Sequence, residues 1–265
     1  MAEAIIKGIL ESKISFAPEI RISGIPVSDI DEKRLKGLKQ NILVLDKKHL
    51  VNTYTDNKQV AKLSEIVLLA VKPQNMGKVV DEIEIDEGKL VISIAAGITI
   101  NFLEKAFPNI AIIRAMPNNP ASIGAGITAI AKGKKVKQEQ FKQAWKIFGS
   151  VGEVVEVEED LMDAVTGLSG SGPAFVYSVI EALAKAGKKL GIEQKTAQKL
   201  AVETVLGAAR TMKETGKSPK ELREMVASPG GTTIEGLKVL EKKKFAEALV
   251  EAVIAAAKKS EELSR

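Results

Sequence analysis

Residues 227–236, Ala-Ser-Pro-Gly-Gly-Thr-Thr-Ile-Glu-Gly, combine hydroxyl side chains with a glycine turn that leads into a predicted helix. The hydroxyls of Ser228, Thr232 and Thr233 would lie beside the backbone N–H groups that the first turn of a helix leaves without partners. Such groups can bind a carboxylate through neutral donors. The segment therefore predicts a carboxylate-binding turn, and a capped turn between two helices is the structural alternative.

Three further segments combine a strand end or a helix start with polar groups. Residues 70–73, Ala-Val-Lys-Pro, end an apolar run at the position where open α/β sheets bind ligands. Residues 114–120 place two asparagines between two prolines, directly after a strand. Residues 166–175 contain Gly-Ser-Gly before a helix, whose free N–H groups can hold an anion. The structural alternatives are a strand stop with a solvated lysine at 70–73, a plain turn at 114–120 and an interdomain hinge at 166–175.

The composition limits the chemistry. The chain has no Cys and one His, which excludes a disulfide scaffold, a Cys/His zinc site and a Cys nucleophile. His49 lies in a polar stretch and is predicted on the surface rather than in a Ser-His-Asp triad. The net charge of +5 could favour anionic ligands, but a solvated surface rich in Lys and Glu is the better explanation. Without interleaved aromatics, nucleic acid is not an expected partner.

No apolar run is long enough for a membrane span, and the N-terminus lacks the basic region of a signal peptide. A cytoplasmic location is therefore expected.

Apolar periodicity predicts a doubly wound α/β domain over residues 1–157 and an all-helical domain over residues 158–265. Strands are predicted at 21–29, 41–45, 66–71, 90–95, 109–115 and 127–131, and the helices between them at 1–13, 31–40, 57–62 and 76–83. Later helices are predicted at 158–167, 173–190, 195–215, 218–226, 233–240 and 244–264. These Ala-rich helices hold few bulky residues, which favours burial against a second subunit. Trp145 is predicted to pack in the core with Phe141 and Phe148.

Residues 223–240, with Ser-Pro-Gly-Gly-Thr-Thr at their centre, resemble the signature segment of pyrroline-5-carboxylate reductases. Residues 70–73, 116–120 and 160–174 resemble the same family, in the family's order. The resemblance implies an N-terminal Rossmann-like domain and an all-α dimerisation domain. It also implies hydride transfer from NADPH or NADH to the C=N bond of 1-pyrroline-5-carboxylate, which gives L-proline in the last step of proline biosynthesis, without a metal.

The resemblance also implies roles for individual residues. Ser228, Gly231, Thr232 and Thr233 would hold the substrate carboxylate and imine nitrogen, with the Thr233 hydroxyl as the catalytic hydrogen-bond partner of the nitrogen. The cofactor-binding residues fall into two groups. At the adenosine end they are Ser28 and Asn57. On the nicotinamide side they are Lys72, Pro73, Asn118 and Pro120, with Ala70 and Val71 in the same segment.

The chain departs from the family at its start. Family members begin with a strand and a Gly-x-Gly-x-Met-Ala loop, whereas this sequence begins at Met1-Ala2. We therefore expect the first strand and both glycines to be missing, either through a start codon assigned too late or in a fragment with impaired cofactor binding. The alternative functions are a related imine or β-hydroxyacid dehydrogenase and a cofactor-deficient, dimer-forming interaction protein. The expected assembly is a homodimer or a larger assembly of dimers.

The sequence leaves the choice between NADPH and NADH open, because Asp29, Asp31 and Arg34 lie close together after the first predicted strand.

Overall fold

The computed structural model describes residues 1–12 and 23–263, and these fold as two compact units. The sheet unit comprises the described residues of Met1–Gly170 and Ala255–Arg265, and the helical unit is Ser171–Ile254. The segment 158–170 and the end of the last helix therefore pack with the sheet unit. The division at 157/158 stays a prediction about domain boundaries.

Secondary structure alternates in the sheet unit and is helical afterwards, as predicted. The elements of the sheet unit are α1 (Ala2–Glu11), β1 (Ile25–Ser28), α2 (Glu32–Ile42), β2 (Val51–Tyr54), α3 (Asn57–Leu63), β3 (Ile66–Leu69), α4 (Met76–Glu82), β4 (Leu90–Ser93), α5 (Ile100–Ala106), β5 (Ala111–Pro117), β6 (Gly126–Lys132), α6 (Gln138–Gly149), β7 (Gly152–Glu156) and α7 (Met162–Val165). The later helices are α8 (Gly172–Lys189), α9 (Gln194–Thr215), α10 (Pro219–Val226), α11 (Thr232–Lys242) and α12 (Phe245–Leu263).

The described strands form two sheets, a parallel pair β1-β2 and a five-stranded sheet in the order β3-β4-β5-β6-β7. All pairs are parallel except β5 with β6. The predicted Rossmann-type α/β fold followed by helices is confirmed, but the wholly parallel sheet is not. Residues 118–125 join β5 to β6 through a single 3₁₀ turn, which is too short for the crossover that a parallel pair needs.

The predicted strand at 41–45 is wrong. Ile42 ends α2, and Leu43 and Val44 are 72% and 79% exposed in the turn that follows. The strand lies instead at β2, after a turn in which the Asp46 carboxylate accepts the backbone N–H groups of Leu50 and Val51. Of the strand predicted at 21–29, residues 21 and 22 lie outside the described part, and the remainder contains β1.

Apolar side chains fill both faces of the larger sheet. In β4, successive residues point to opposite faces, so Val91 packs with one core cluster and Ile92 with the other. Met76 of α4 lies in the first cluster, and Phe148 of α6 lies in the second. The prediction that Trp145 packs in the core is wrong: it is 39% exposed and meets the buried Phe141 edge to face, with 6.0 Å between the ring centroids.

His49 is exposed, as predicted, and within the described residues no helix combines the length and apolarity that crossing a membrane requires.

The last turns of α12 are held against the sheet unit. Ser260 is buried and donates a hydrogen bond of 2.7 Å to the Asp163 carboxylate. The backbone of Leu263 lies against Gly97, where a Cβ would be 2.9 Å from the Leu263 carbonyl carbon. Gly97 also has a φ of +76°, so glycine is required there for two reasons.

Candidate functional site

Strands β3 and β4 end side by side at one edge of the sheet, and β5 runs three residues past them to Pro117. Leu69 at the end of β3 aligns with Ser93 of β4, and Ser93 aligns with Arg114 of β5. The segments that follow these residues therefore lie along the same edge, where open α/β sheets bind ligands. Two of them belong to the segments predicted to bind a ligand, 70–73 and 114–120, whereas no ligand-binding segment was predicted after β4.

Residues 70–73 end the first of these strands as expected. Pro73 opens a 3₁₀ turn in which the Asn75 N–H donates to the Lys72 carbonyl over 2.9 Å. Lys72 and Ala70 are exposed, while Val71 packs against the core. The segment thus offers the Lys72 ammonium group at the sheet edge.

Residues 118–125 are built around the side chain of Asn118, which is 9% exposed. Its Oδ1 accepts the Ile127 N–H at 3.0 Å, which ties the segment to β6. The Pro120 carbonyl accepts the Ala125 N–H at 3.1 Å and closes the turn. Because the amide oxygen is engaged, the amide NH₂ of Asn118 is the group left to donate to a ligand.

Ser28 and Asn57, which are far apart in the sequence, are in direct contact. The Ser28 hydroxyl at the end of β1 donates to Asn57 Oδ1 over 2.7 Å. The Asn57 amide in turn donates to Glu82 Oε2 over 3.1 Å. The two residues predicted at the adenosine end thus form one polar cluster at the ends of β1 and α3.

A buried arginine in β5 was not predicted. Arg114 is 4% exposed, and its guanidinium lies 3.2 Å from Asp163 Oδ1 and 3.6 Å from Glu159 Oε1. Glu159 Oε1 also accepts the Ile100 N–H at the start of α5. The network therefore joins the strand before the Asn118 segment to α5, α7 and, through Ser260, α12. A single charge inside an apolar strand was the available sequence signal.

The Thr-Gly-Leu-Ser-Gly part of the third segment forms a π-helical turn at Thr166–Gly170. The Thr166 and Ser169 hydroxyls donate to backbone carbonyls one turn earlier, at 2.8 and 3.1 Å. A Cβ on Gly170 would lie 2.7 Å from the Met116 methyl group, so the glycine lets this turn approach the end of β5. Within this stretch both hydroxyls donate to the backbone, and the binding of an anion by the N–H groups at the start of α8 stays a prediction.

In the helical unit, residues 228–231 form a tight turn. The Gly231 N–H donates to the Ser228 carbonyl over 2.9 Å, and Gly230 has a φ of +73°, as expected after Pro229 in a type II turn. A Cβ on Gly231 would lie 2.6 Å from Ser228 Oγ. The Ser228 hydroxyl therefore sits directly over the start of α11.

Helix α11 begins at Thr232 without a side-chain cap, because its N-cap residue is Gly231. The N–H groups of its first turn therefore keep their capacity to donate to a ligand. Thr232 and Thr233 are exposed at this start. Ser228, Gly231, Thr232 and Thr233 are thus brought together around one helix N-terminus, as predicted.

The helix that leads into this turn is firmly capped. The Ser218 hydroxyl accepts the Glu221 N–H, and the Glu221 carboxylate accepts the Ser218 hydroxyl and backbone N–H. These hydrogen bonds to Ser218 lower the pKa of Glu221. At the start of α9, hydrogen bonds from the Lys195 and Thr196 N–H groups lower the pKa of Glu193 in the same way.

Two family models match this chain. The pyrroline-5-carboxylate reductase dimerisation model matches residues 159–263. A model for coenzyme F420-dependent NADP oxidoreductases matches residues 1–97.

Curated relatives match the whole chain. The pyrroline-5-carboxylate reductase of Synechocystis is 48% identical, with 100% of this chain and 95% of the relative covered. That of Methanosarcina acetivorans is 42% identical at the same coverage. The chain therefore spans nearly the full length of both relatives.

Solved structures of reductases from the same family have a similar fold over nearly the whole chain. The pyrroline-5-carboxylate reductase of Coxiella burnetii superimposes with a TM-score of 0.83 at 36% identity, covering 99% of this chain and 96% of that one. The Plasmodium falciparum pyrroline carboxylate reductase, solved with NADP bound, gives a TM-score of 0.82 at 30% identity, covering 99% and 94%.

Proposed function

The chain belongs to the pyrroline-5-carboxylate reductase family, and from this premise we propose that it reduces the C=N bond of 1-pyrroline-5-carboxylate to give L-proline. The hydride comes from a reduced nicotinamide dinucleotide. It adds to the imine carbon of the protonated substrate, the π electron pair moves to nitrogen, and nitrogen keeps its proton. The observation that carries the proposal is the uncapped, hydroxyl-lined start of α11.

The substrate's carboxylate fits the turn at 228–231 and the start of α11. Backbone N–H groups at a helix start bind a carboxylate without a buried cation, and the helix dipole adds to the attraction. The Ser228 hydroxyl lies over this start and supplies a further neutral donor. Thr233, on the same helix turn, hydrogen-bonds the ring nitrogen and so fixes the orientation of the imine.

The residues at the strand ends of the sheet unit fit a dinucleotide. Ser28 and Asn57 form the polar cluster for the adenosine end. Lys72, Pro73, Asn118 and Pro120 provide the nicotinamide side, with the exposed Ala70 and the backbone of Val71 beside them. When bound, the cofactor supplies the hydride, and the protein's part is to orient the reactants and exclude side reactions.

We also propose that the chain forms a homodimer, which exists by itself or as part of a larger assembly of dimers. Within the helical unit the buried apolar residues are Ala184, Ala197 and Ala201, which cannot form an ample core. Large apolar side chains such as Leu183, Leu200 and Val250 are 45–58% exposed. An apolar surface of this kind is typical of an obligate interface. The cytoplasm is the proposed location.

Replacing Thr233 with Val removes the hydroxyl and keeps the shape of the side chain. We expect kcat for proline formation to fall about 10²-fold, because a hydrogen bond to the reacting nitrogen is lost. The assay follows dinucleotide oxidation by absorbance and proline by NMR. Thr215→Val is the matched control, because the exposed Thr215 hydroxyl at the end of α9 bonds only to backbone groups, the Thr211 carbonyl and the Lys217 N–H. Equal kcat values for the two variants would show that the Thr233 hydroxyl takes no part in the reaction.

A further inference from the structure

The loop after β1 places a fixed carboxylate next to the Ser28–Asn57 cluster. Asp29 follows the last residue of β1, and its Oδ1 accepts the Asp31 N–H at 2.9 Å. The Asp29 side chain is 31% exposed, so it reaches solvent while its orientation is held by the loop. In doubly wound folds, the strand that follows the first helix ends at an acidic residue that hydrogen-bonds the ribose 2′-hydroxyl of the cofactor. Strand β1 follows α1 and so holds this place in the chain order.

The neighbouring cation is already engaged. Arg34 lies 3.7 Å from Asp29 Oδ2 and 3.6 Å from Asp31 Oδ2, and its side chain is 71% exposed. A guanidinium shared between two carboxylates binds a phosphate less tightly than an unpaired one, because the carboxylates compete for its N–H donors and repel the phosphate.

The start of α2 is occupied as well. The Asp31 carboxylate accepts the Lys33 N–H at 2.9 Å and caps the helix, and Glu32 adds a second acid in the first turn. An incoming phosphate would therefore meet the protein's own carboxylates at the helix end that would otherwise attract it.

We propose that Asp29 selects the cofactor of this enzyme by binding the ribose 2′-hydroxyl and repelling a 2′-phosphate, so that NAD(H) binds more tightly than NADP(H). This inference rests on the proposed function, since it assigns the adenosine end of the same site. Arg34 contributes to this selection as well, because its ion pair with Asp29 keeps the guanidinium away from the ligand.

The test is calorimetric titration of the full chain with NAD⁺ and NADP⁺, and with 5′-ADP and adenosine 2′,5′-bisphosphate as probes of the adenosine end. We expect the unphosphorylated member of each pair to bind at least about tenfold more tightly. In Asp29→Asn the amide oxygen can still accept the Asp31 N–H, but the charge is gone and Arg34 keeps only its ion pair with Asp31. The ratio should shift by about tenfold or more towards the 2′-phosphorylated ligands.

Two further variants separate the effect of Arg34 from the general effect of removing one negative charge. Asp29→Asn with Arg34→Gln should lose most of the gain for the phosphorylated ligands, because the Arg34 guanidinium, no longer paired with Asp29, supplies it. Asp86→Asn, which makes the same charge change at a carboxylate paired with Lys89, should leave the ratio unchanged. The ratio of two affinities does not depend on the fraction of folded protein, so a partly unfolded variant still gives a reading.

Tighter or equal binding of NADP⁺ by the unsubstituted chain overturns the inference, as does a ratio unaltered in Asp29→Asn. Neither result touches the proposed reaction. Failure of both dinucleotides to bind is a different outcome, since it overturns the assigned cofactor site and this inference with it.

Discussion

The buried guanidinium of Arg114 should contribute measurably to the stability of the sheet unit. Its side chain is 5% exposed, and its partners Asp163 and Glu159 are 24% and 32% exposed. Removing one partner from a fully buried pair costs about 3–5 kcal/mol. Because these carboxylates still reach water, we expect Arg114→Met to lower the free energy of unfolding by about 2–3 kcal/mol.

The assay uses the single tryptophan of the chain, Trp145, which lies in α6 and reports on the sheet unit. Urea unfolding followed by its fluorescence gives the change in stability. The control is Glu156→Gln, which breaks an exposed pair with Lys132 and should cost less than about 1 kcal/mol. The double variant Arg114→Met with Asp163→Asn should cost less than the sum of the two. Additive losses, or a loss no larger than that of the control, would refute the assigned ion pair.

Two other expectations follow from charge and from backbone geometry. The pKa of Glu193 is lowered from 4.5 in the folded state, so its carboxylate stabilises the fold above about pH 4.5 and this contribution is lost as the pH falls. The difference in unfolding midpoint between the unsubstituted chain and Glu193→Gln, read by circular dichroism, should therefore shrink from neutral pH to about pH 3. A Cβ on Gly152, which has a φ of +148°, would overlap the backbone of β6, so Gly152→Ala should cost more than about 2 kcal/mol in urea unfolding. Gly149→Ala, where no atom lies within 4 Å of the added carbon, should be neutral or stabilising.

Long periodic segments made most of the fold predictable. In β4 all four residues are buried, so its apolar run reads as a strand without tertiary information. The edge strand β7 is short and largely exposed, and it carries no such pattern. The orientation of β6 was equally hidden, because side chains alternate with the same period in parallel and antiparallel strands. The run at 41–45 reads as an apolar strand, but α2 ends at Ile42 and the residues after it form a turn. Local composition therefore predicted a strand that the structure does not contain.

The candidate site was predictable only where a motif marks it. The turn at 228–231 depends on Pro and Gly at fixed positions, and its form follows from those residues. The contact between Ser28 and Asn57 joins two segments 29 residues apart, and no spacing rule predicts it. Arg114 and Ser260 contact the same carboxylate, that of Asp163, from positions 49 residues before it and 97 residues after it. Such contacts arise from packing, which local periodicity does not encode.

The membership of residues 255–263 in the sheet unit has a consequence for synthesis on the ribosome. The last piece of the sheet unit is translated only after the whole helical unit. The Asp163 carboxylate beside Arg114 therefore lacks its Ser260 donor until residue 260 has been translated. Folding from the N-terminus alone, the usual order for domains, cannot finish this molecule.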